Sequence, residues 1–100
     1  MIVYRAMCEA EFNETMNTKQ LSWLSRFKWF GTLDFIKQRV TDGKFNNSTF
    51  IKDRYCKIIK FEIDDSSLCH FKKVGYRELM LDRRKTPLIK ITVIGIYNEI

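Results

Sequence analysis

Proline is almost missing from this chain of 100 residues, occurring once at Pro87, and glycine occurs four times. With no Ser/Gly-rich linker, repeat or low-complexity tract, the composition argues against disorder and against a string of modules. An apolar content of 45% suits one modest core, so residues 1–100 are expected to form a single domain. Cysteine is sparse too. Cys8, Cys56 and Cys69 are odd in number and show no CxxC spacing, which argues against a disulfide framework and against zinc. Reduced thiols in a cytoplasm, with no metal, are the expectation. No stretch approaches the roughly 18 apolar residues of a membrane span, and MIVYRAMCEAEF lacks a basic region followed by a long apolar run. Neither a membrane nor export is expected.

Histidine is limited to His70, which stands between Cys69 and Phe71 with no serine or carboxylate motif around it. The patterns GxGxxG, GxxxxGK, GxSxG and HExxH do not occur, so most familiar chemistry has no support. A small ribonuclease stays open, with His70 moving protons and Lys72 or Arg77 steadying a phosphate.

Positive charge is what the chain has in excess. The formal net charge is +6. Every lysine and arginine except Arg5 follows residue 18, whereas Glu9, Glu11 and Glu14 precede it. Such a bias attracts the phosphates of a nucleotide, a nucleic acid, or an acidic protein.

The order of elements is readable from pattern. IVYRAM reads as a strand; acidic residues then open a short helix with Phe12 and Met16 four apart on one face. Residues 17–31 are aromatic-rich without a clean period, with part expected to be helical and KWF a short strand. Thr32 can cap a helix through Val40 that Asp42-Gly43 ends. FNNSTF reads as a loop. Tyr55–Ile63 alternates as a strand, Asp64 to Ser67 turn the chain, and Leu68 and Phe71 fit one helical turn. Arg77–Leu81 is a further strand. Leu88–Tyr97, β-branched and apolar, suits the centre of a sheet. Helices early and strands late predict an α+β domain: a twisted mixed or antiparallel sheet with two or three short helices.

Three groups of residues carry chemistry. Arg5 lies inside an apolar strand, where a guanidinium is costly to bury without an anion; a ligand phosphate, or an internal carboxylate such as Glu78, would satisfy it. Trp23, Phe27, Trp29 and Phe30 are interleaved with Arg26 and Lys28, and would stack a ring or fill the core. Glu78 sits in KKVGYRELML, a stretch rich in cations. If Leu79 and Leu81 face inward, Glu78 and Met80 share the opposite face, where an ionised carboxylate can hydrogen-bond a ribose and stabilise an oxocarbenium-like centre.

In that order, VYRAM, an acidic short helix, KWF, KIIKFEID and GYRELML resemble a small ADP-ribosyltransferase-type domain of the NAD-utilising toxin or effector kind. The resemblance implies that Arg5, with Tyr4, binds NAD, that Trp29 or Phe30 lines the nicotinamide pocket, and that Glu78 is the catalytic carboxylate. NAD would be the substrate, the nicotinamide–ribose bond would break, and ADP-ribose would pass to a macromolecular acceptor, protein or nucleic acid. A cytoplasmic phage or bacterial effector is the implied setting. Two departures disfavour arginine as the acceptor: KWFGT carries no Ser-Thr-Ser motif, and Tyr76, not a second carboxylate, stands two before Glu78. The alternative is a non-enzymatic basic module that binds nucleic acid or an acidic host protein through Lys52, Arg54, Lys57, Lys60, Lys72, Lys73, Arg83, Arg84 and Lys85.

Overall fold

The computed structural model describes residues 1–41, 57–85 and 89–97. Expectations for Asp42-Gly43, FNNSTF, Lys52, Arg54, Cys56 and Leu88 lie outside them. Apolar and β-favouring residues at Ile2–Met7 form β1, and the acidic first turn of Glu9–Thr18 begins α1. That helix closes at Lys19, whose backbone turns left-handed (φ 56°) and whose N–H donates to the Thr15 carbonyl at 2.8 Å. Phe27–Gly31 is β2, and Leu33–Thr41 is α2, opened by the Thr32 hydroxyl accepting from the Phe35 N–H at 3.3 Å. Lys57–Ile63 forms β3. A 3₁₀ helix at Asp65–His70 follows, opened by the Asp64 carboxylate accepting from the Ser66 N–H. Lys72–Gly75, Glu78–Asp82 and Ile91–Tyr97 are β4, β5 and β6.

These strands make one antiparallel sheet in the order β4-β5-β2-β1-β3-β6, and the class is α+β. The expected "mixed or antiparallel" sheet is therefore antiparallel at every pairing described. Strand parity sorts the side chains. Val3, Met7, Phe30, Ile59, Phe61, Ile63 and Leu81 point to one face, where Phe12 and Met16 of α1 pack against them and Phe30 meets Phe61 and Phe71 edge-on. Ala6 and Ile58 point to the other, beneath Ile36, Leu33 and Val40 of α2.

Pairing across the sheet is uneven. β1 and β3 stay in register from Ile2↔Glu62 to Met7↔Lys57, and β2 and β5 from Phe27↔Asp82 to Gly31↔Glu78. β1 and β2 are in register only at Tyr4↔Gly31. The sheet is thus two three-stranded halves joined at one residue pair. Gly31 is required there for steric reasons, because a Cβ would lie 2.7 Å from the Arg77 carbonyl oxygen and 3.0 Å from Phe35 Cδ1.

Two expectations need correction. Leu88–Tyr97 was expected at the centre of a sheet, but among the described residues β6 ends the strand order. Ile91 and Val93 do pack on the core, while a register shift opposite Lys60/Phe61 leaves Ile94 out of the ladder and 47% exposed. Strand β4 was not anticipated, since four exposed residues, KKVG, carry no burial alternation to read.

Replacing Gly31 by alanine should lower stability by about 1–3 kcal/mol in urea unfolding, because a backbone oxygen must yield. Gly75→Ala, whose Cβ would meet only the Glu78 Cβ at 3.9 Å, should be close to neutral. Equal effects at both sites would contradict the crowding at the junction.

Candidate functional site

Arg5 is 5% exposed and points to the α1 side of the sheet. Its Nε and Nη2 donate to the two carboxylate oxygens of Glu11 at 2.7 and 2.8 Å, and its Nη1 to the Trp29 carbonyl at 3.3 Å. Lys28, fully buried on β2, adds its ammonium to the same carboxylate at 3.2 Å and donates to the Leu24 carbonyl at 2.7 Å. One anion therefore serves two buried cations. Burial pushes the Glu11 carboxyl up, but the charges and hydrogen bonds of Arg5 and Lys28 outweigh it, and the net shift is downward. Burial, and then the neighbouring Arg5 guanidinium, push the Lys28 ammonium down to about 8 against the opposing pull of Glu11.

The anticipated meeting of Arg5 with Glu78 does not occur. Tyr4, Gly31 and Glu78 are partners in one row across β1, β2 and β5, so they share a face, and Arg5, next to Tyr4, faces the other way. Glu78 instead receives Arg39 of α2, whose Nη1 lies 3.1 and 3.4 Å from its two oxygens. Phe30 is likewise fully buried in the core on the Arg5 side. Trp29, by alternation, lies on the Glu78 face and is 38% exposed. Of the five residues singled out, Tyr4, Trp29 and Glu78 come to one face while Arg5 and Phe30 go to the other.

A cavity of about 240 Å³ opens where β2 ends and the two half-sheets part. Its wall includes Ile2 and Val3 of β1, Gly31 and Thr32, and Tyr76, Arg77 and Glu78 of the β4–β5 hairpin. Glu78 is the one predicted site residue in that wall; Tyr4 lies partly buried against α2. Tyr76, at 91% exposed, stands at the hairpin tip. A second cavity, of about 540 Å³, lies between the ends of β3 and β6 and is lined by Glu62, Asp64, Asp65 and Lys90 among others. His70 lines neither. Cys8 and Cys69 are free thiols, and no cluster of metal-ligating side chains is found among the described residues. Among those residues no helix is long and apolar enough to cross a membrane.

Sequence reasoning missed Glu11, Lys28 and Arg39. A signal existed for Lys28: in FKWFG it shares parity with Phe30, so a strand that buries the phenyl ring buries the amine as well, and a buried ammonium demands a carboxylate. Arg39 had no comparable signal, because its meeting with Glu78 depends on how α2 lies across the sheet. Compared with protein-family models, curated proteins and solved structures, the chain matches none. The functional reading therefore rests on the residues themselves.

The buried cluster predicts a pH signature. Between about 8 and the ordinary 10.5, unfolded Lys28 holds its proton and folded Lys28 has released it, so the unfolded state binds more protons and stability rises with pH. Relative to Lys28→Met, the wild type should gain on the order of 3 kcal/mol across that window in denaturant titrations. A flat difference would contradict the depressed ammonium. The Glu11 carboxylate acts in the acid range: its stabilisation is present above the ordinary 4.5 and is lost as pH falls through its lower folded value. At neutral pH, Glu11→Gln should cost about 3–5 kcal/mol, since two cations then lose their partner.

Proposed function

We propose that the protein is an NAD-dependent ADP-ribosyltransferase-like enzyme in which Glu78 is the catalytic carboxylate. The observation that carries the reading is the position of Glu78: half-buried, held by Arg39 from a different element, and in the wall of a cavity at the junction of β1 and β2. A further support is that β5, β2 and β1, the late, middle and first strands that the resemblance implies, are consecutive neighbours. Arg5 drops out of the site, because its guanidinium is bound to Glu11 behind the sheet. Of the ring-lining candidates, Phe30 is buried on the far side of the sheet, and Trp29, though on the Glu78 face, lies outside the cavity wall.

The chemistry asks for little from the protein beyond charge and orientation. When the bond between the nicotinamide nitrogen and ribose C1′ breaks, its electron pair leaves with nicotinamide, which becomes neutral, and C1′ takes on oxocarbenium character. The acceptor nucleophile then bonds to C1′ and gives up its proton. Glu78 accepts a hydrogen bond from a ribose hydroxyl, and its negative charge stabilises the developing cation. Arg39 fixes the rotamer of that carboxylate, a positioning role. Arg77 and Lys73, exposed at the mouth, offer positive charge to the diphosphate. At about 240 Å³ the cavity is smaller than the ~300–1,000 Å³ usual for ligand sites, which matches the nicotinamide and its ribose with the remainder lying along the surface. The acceptor is a macromolecule, and the setting is the cytoplasm.

Labelled NAD incubated with the protein and a cell lysate reports turnover and acceptor together. Glu78→Gln should lower NAD consumption by about 10²–10³-fold, the scale of losing one preorganised electrostatic group, with little change in unfolding midpoint. Arg39→Ala should lower it less, mainly through kcat. The reading fails if wild-type protein neither binds nor consumes NAD, or if Glu78→Gln turns it over at the wild-type rate.

A further inference from the structure

α2 covers the β1 and β3 part of its face of the sheet through Ala6 and Ile58, and reaches β2 and β5 at Gly31 and Glu78. Beyond those two positions the same face of β2, β5 and β4 carries exposed side chains. By parity it presents Phe27 and Trp29 from β2, with Met80 directly across from Trp29 and Lys72 directly across from Met80. Phe27 is 46% exposed, and the Arg26 guanidinium lies 4.7 Å from its ring centroid. Two aromatic rings two residues apart on one strand stand about 7 Å from each other. They are supported on a rigid element: Lys28 and Phe30, alternating with them, are buried on the far side.

Charge on this region has one sign to spare. Its two carboxylates are already engaged, Asp82 by Arg26 at 3.0 Å and Glu78 by Arg39. Lys72 on this face, and Arg77, Arg84 and Lys85 in the flanking turns, are exposed, and none makes a salt bridge among the described residues; Lys73, opposite Leu79, points to the other face. An acidic peptide would use the cations but leave the rings in water, and duplex DNA hides the faces of its bases. A chain that offers both a phosphate track and free π-faces uses all of it.

We infer that the open face of β2, β5 and β4 binds single-stranded nucleic acid, its bases stacked on Trp29 and Phe27 and its backbone along Lys72 and the neighbouring cations. The recognition is tolerant of sequence, since every base has a face to stack. It does not depend on the NAD reading. Trp29 and Phe27 both lie outside the wall of the cavity beside Glu78.

Fluorescence anisotropy of a labelled oligothymidylate of roughly 12 nucleotides, within the usual footprint of such platforms, tests the inference on the full chain. Trp29→Ala and Phe27→Ala should each weaken binding about ten-fold or more, and Trp29→Phe, which keeps a π-face, should restore most of it. Lys72→Ala should flatten the plot of log K against log salt by about 0.7, the share of one single-strand phosphate. Glu78→Gln should bind normally, so that loss of NAD turnover and loss of binding are separable. The inference is overturned if low-salt binding is absent, if a duplex of equal length or an anionic phosphatidylserine vesicle binds as well, or if both aromatic-to-alanine variants bind like wild type while Trp29→Phe retains the native unfolding midpoint.

Discussion

The Glu11 carboxylate receives Arg5 from β1 and Lys28 from β2 while it is itself carried by α1, so one side chain ties together three elements. That matters because β1 and β2 are in register at a single residue pair. Elsewhere in the sheet a ladder of backbone hydrogen bonds sets the relation between neighbouring strands; here side chains must do so. Arg5 contributes twice, since its third nitrogen donates to the Trp29 carbonyl of the neighbouring half-sheet. Burying three charged groups costs several kcal/mol per ion, and a well-packed apolar substitute can be as stable or more so. The cluster is thus better understood as fixing the angle between the half-sheets than as a source of net stability. Burial first, and then the neighbouring Arg5 guanidinium, depress Lys28.

The position of the candidate site follows from the same constraint. With the halves diverging beyond Tyr4↔Gly31, the first residues of β1 and the β4–β5 hairpin face each other across a cavity. Arg5, engaged behind the sheet, is not available to Glu78, and the carboxylate takes its cation from α2. That helix can reach it because Gly31 lets Phe35 and Ile36 sit close over the strand end, with their nearest atoms 3.0 and 3.6 Å from where a Cβ would be. Absence of a side chain at one position thus sets the path of the helix that holds Glu78.

What could be read from the sequence was what depends on near neighbours. Alternation in KIIKFEI and in ELML gave the faces of β3 and β5 correctly, so the outward direction of Glu78 was legible, as was the Thr32 cap of α2. The partners of charged groups were not. Arg5 and Glu11 are six residues apart, across a strand-to-helix turn whose geometry no local pattern reports, and Glu78 and Arg39 are 39 apart. Edge and centre are equally nonlocal properties: β6 reads as a central strand because Ile91 and Val93 do face the core, and nothing within ITVIGIY reveals that it stands last among the described strands.

Strand β2 shows why the two proposed activities lie side by side. Its inward residues, Lys28 and Phe30, are among the most completely buried in the molecule, one held by an ion pair and the other by two edge-on ring contacts. A strand anchored so firmly on one side has little freedom on the other, and Phe27 and Trp29 are presented with most of their ordering entropy already spent in folding. Rigid presentation is what stacking requires, because a ring that must first be immobilised loses much of the energy of its contact. The buried ion cluster and the exposed aromatic face are therefore two consequences of one alternating pentapeptide, and a change at Lys28 should be felt at Trp29 through the backbone they share.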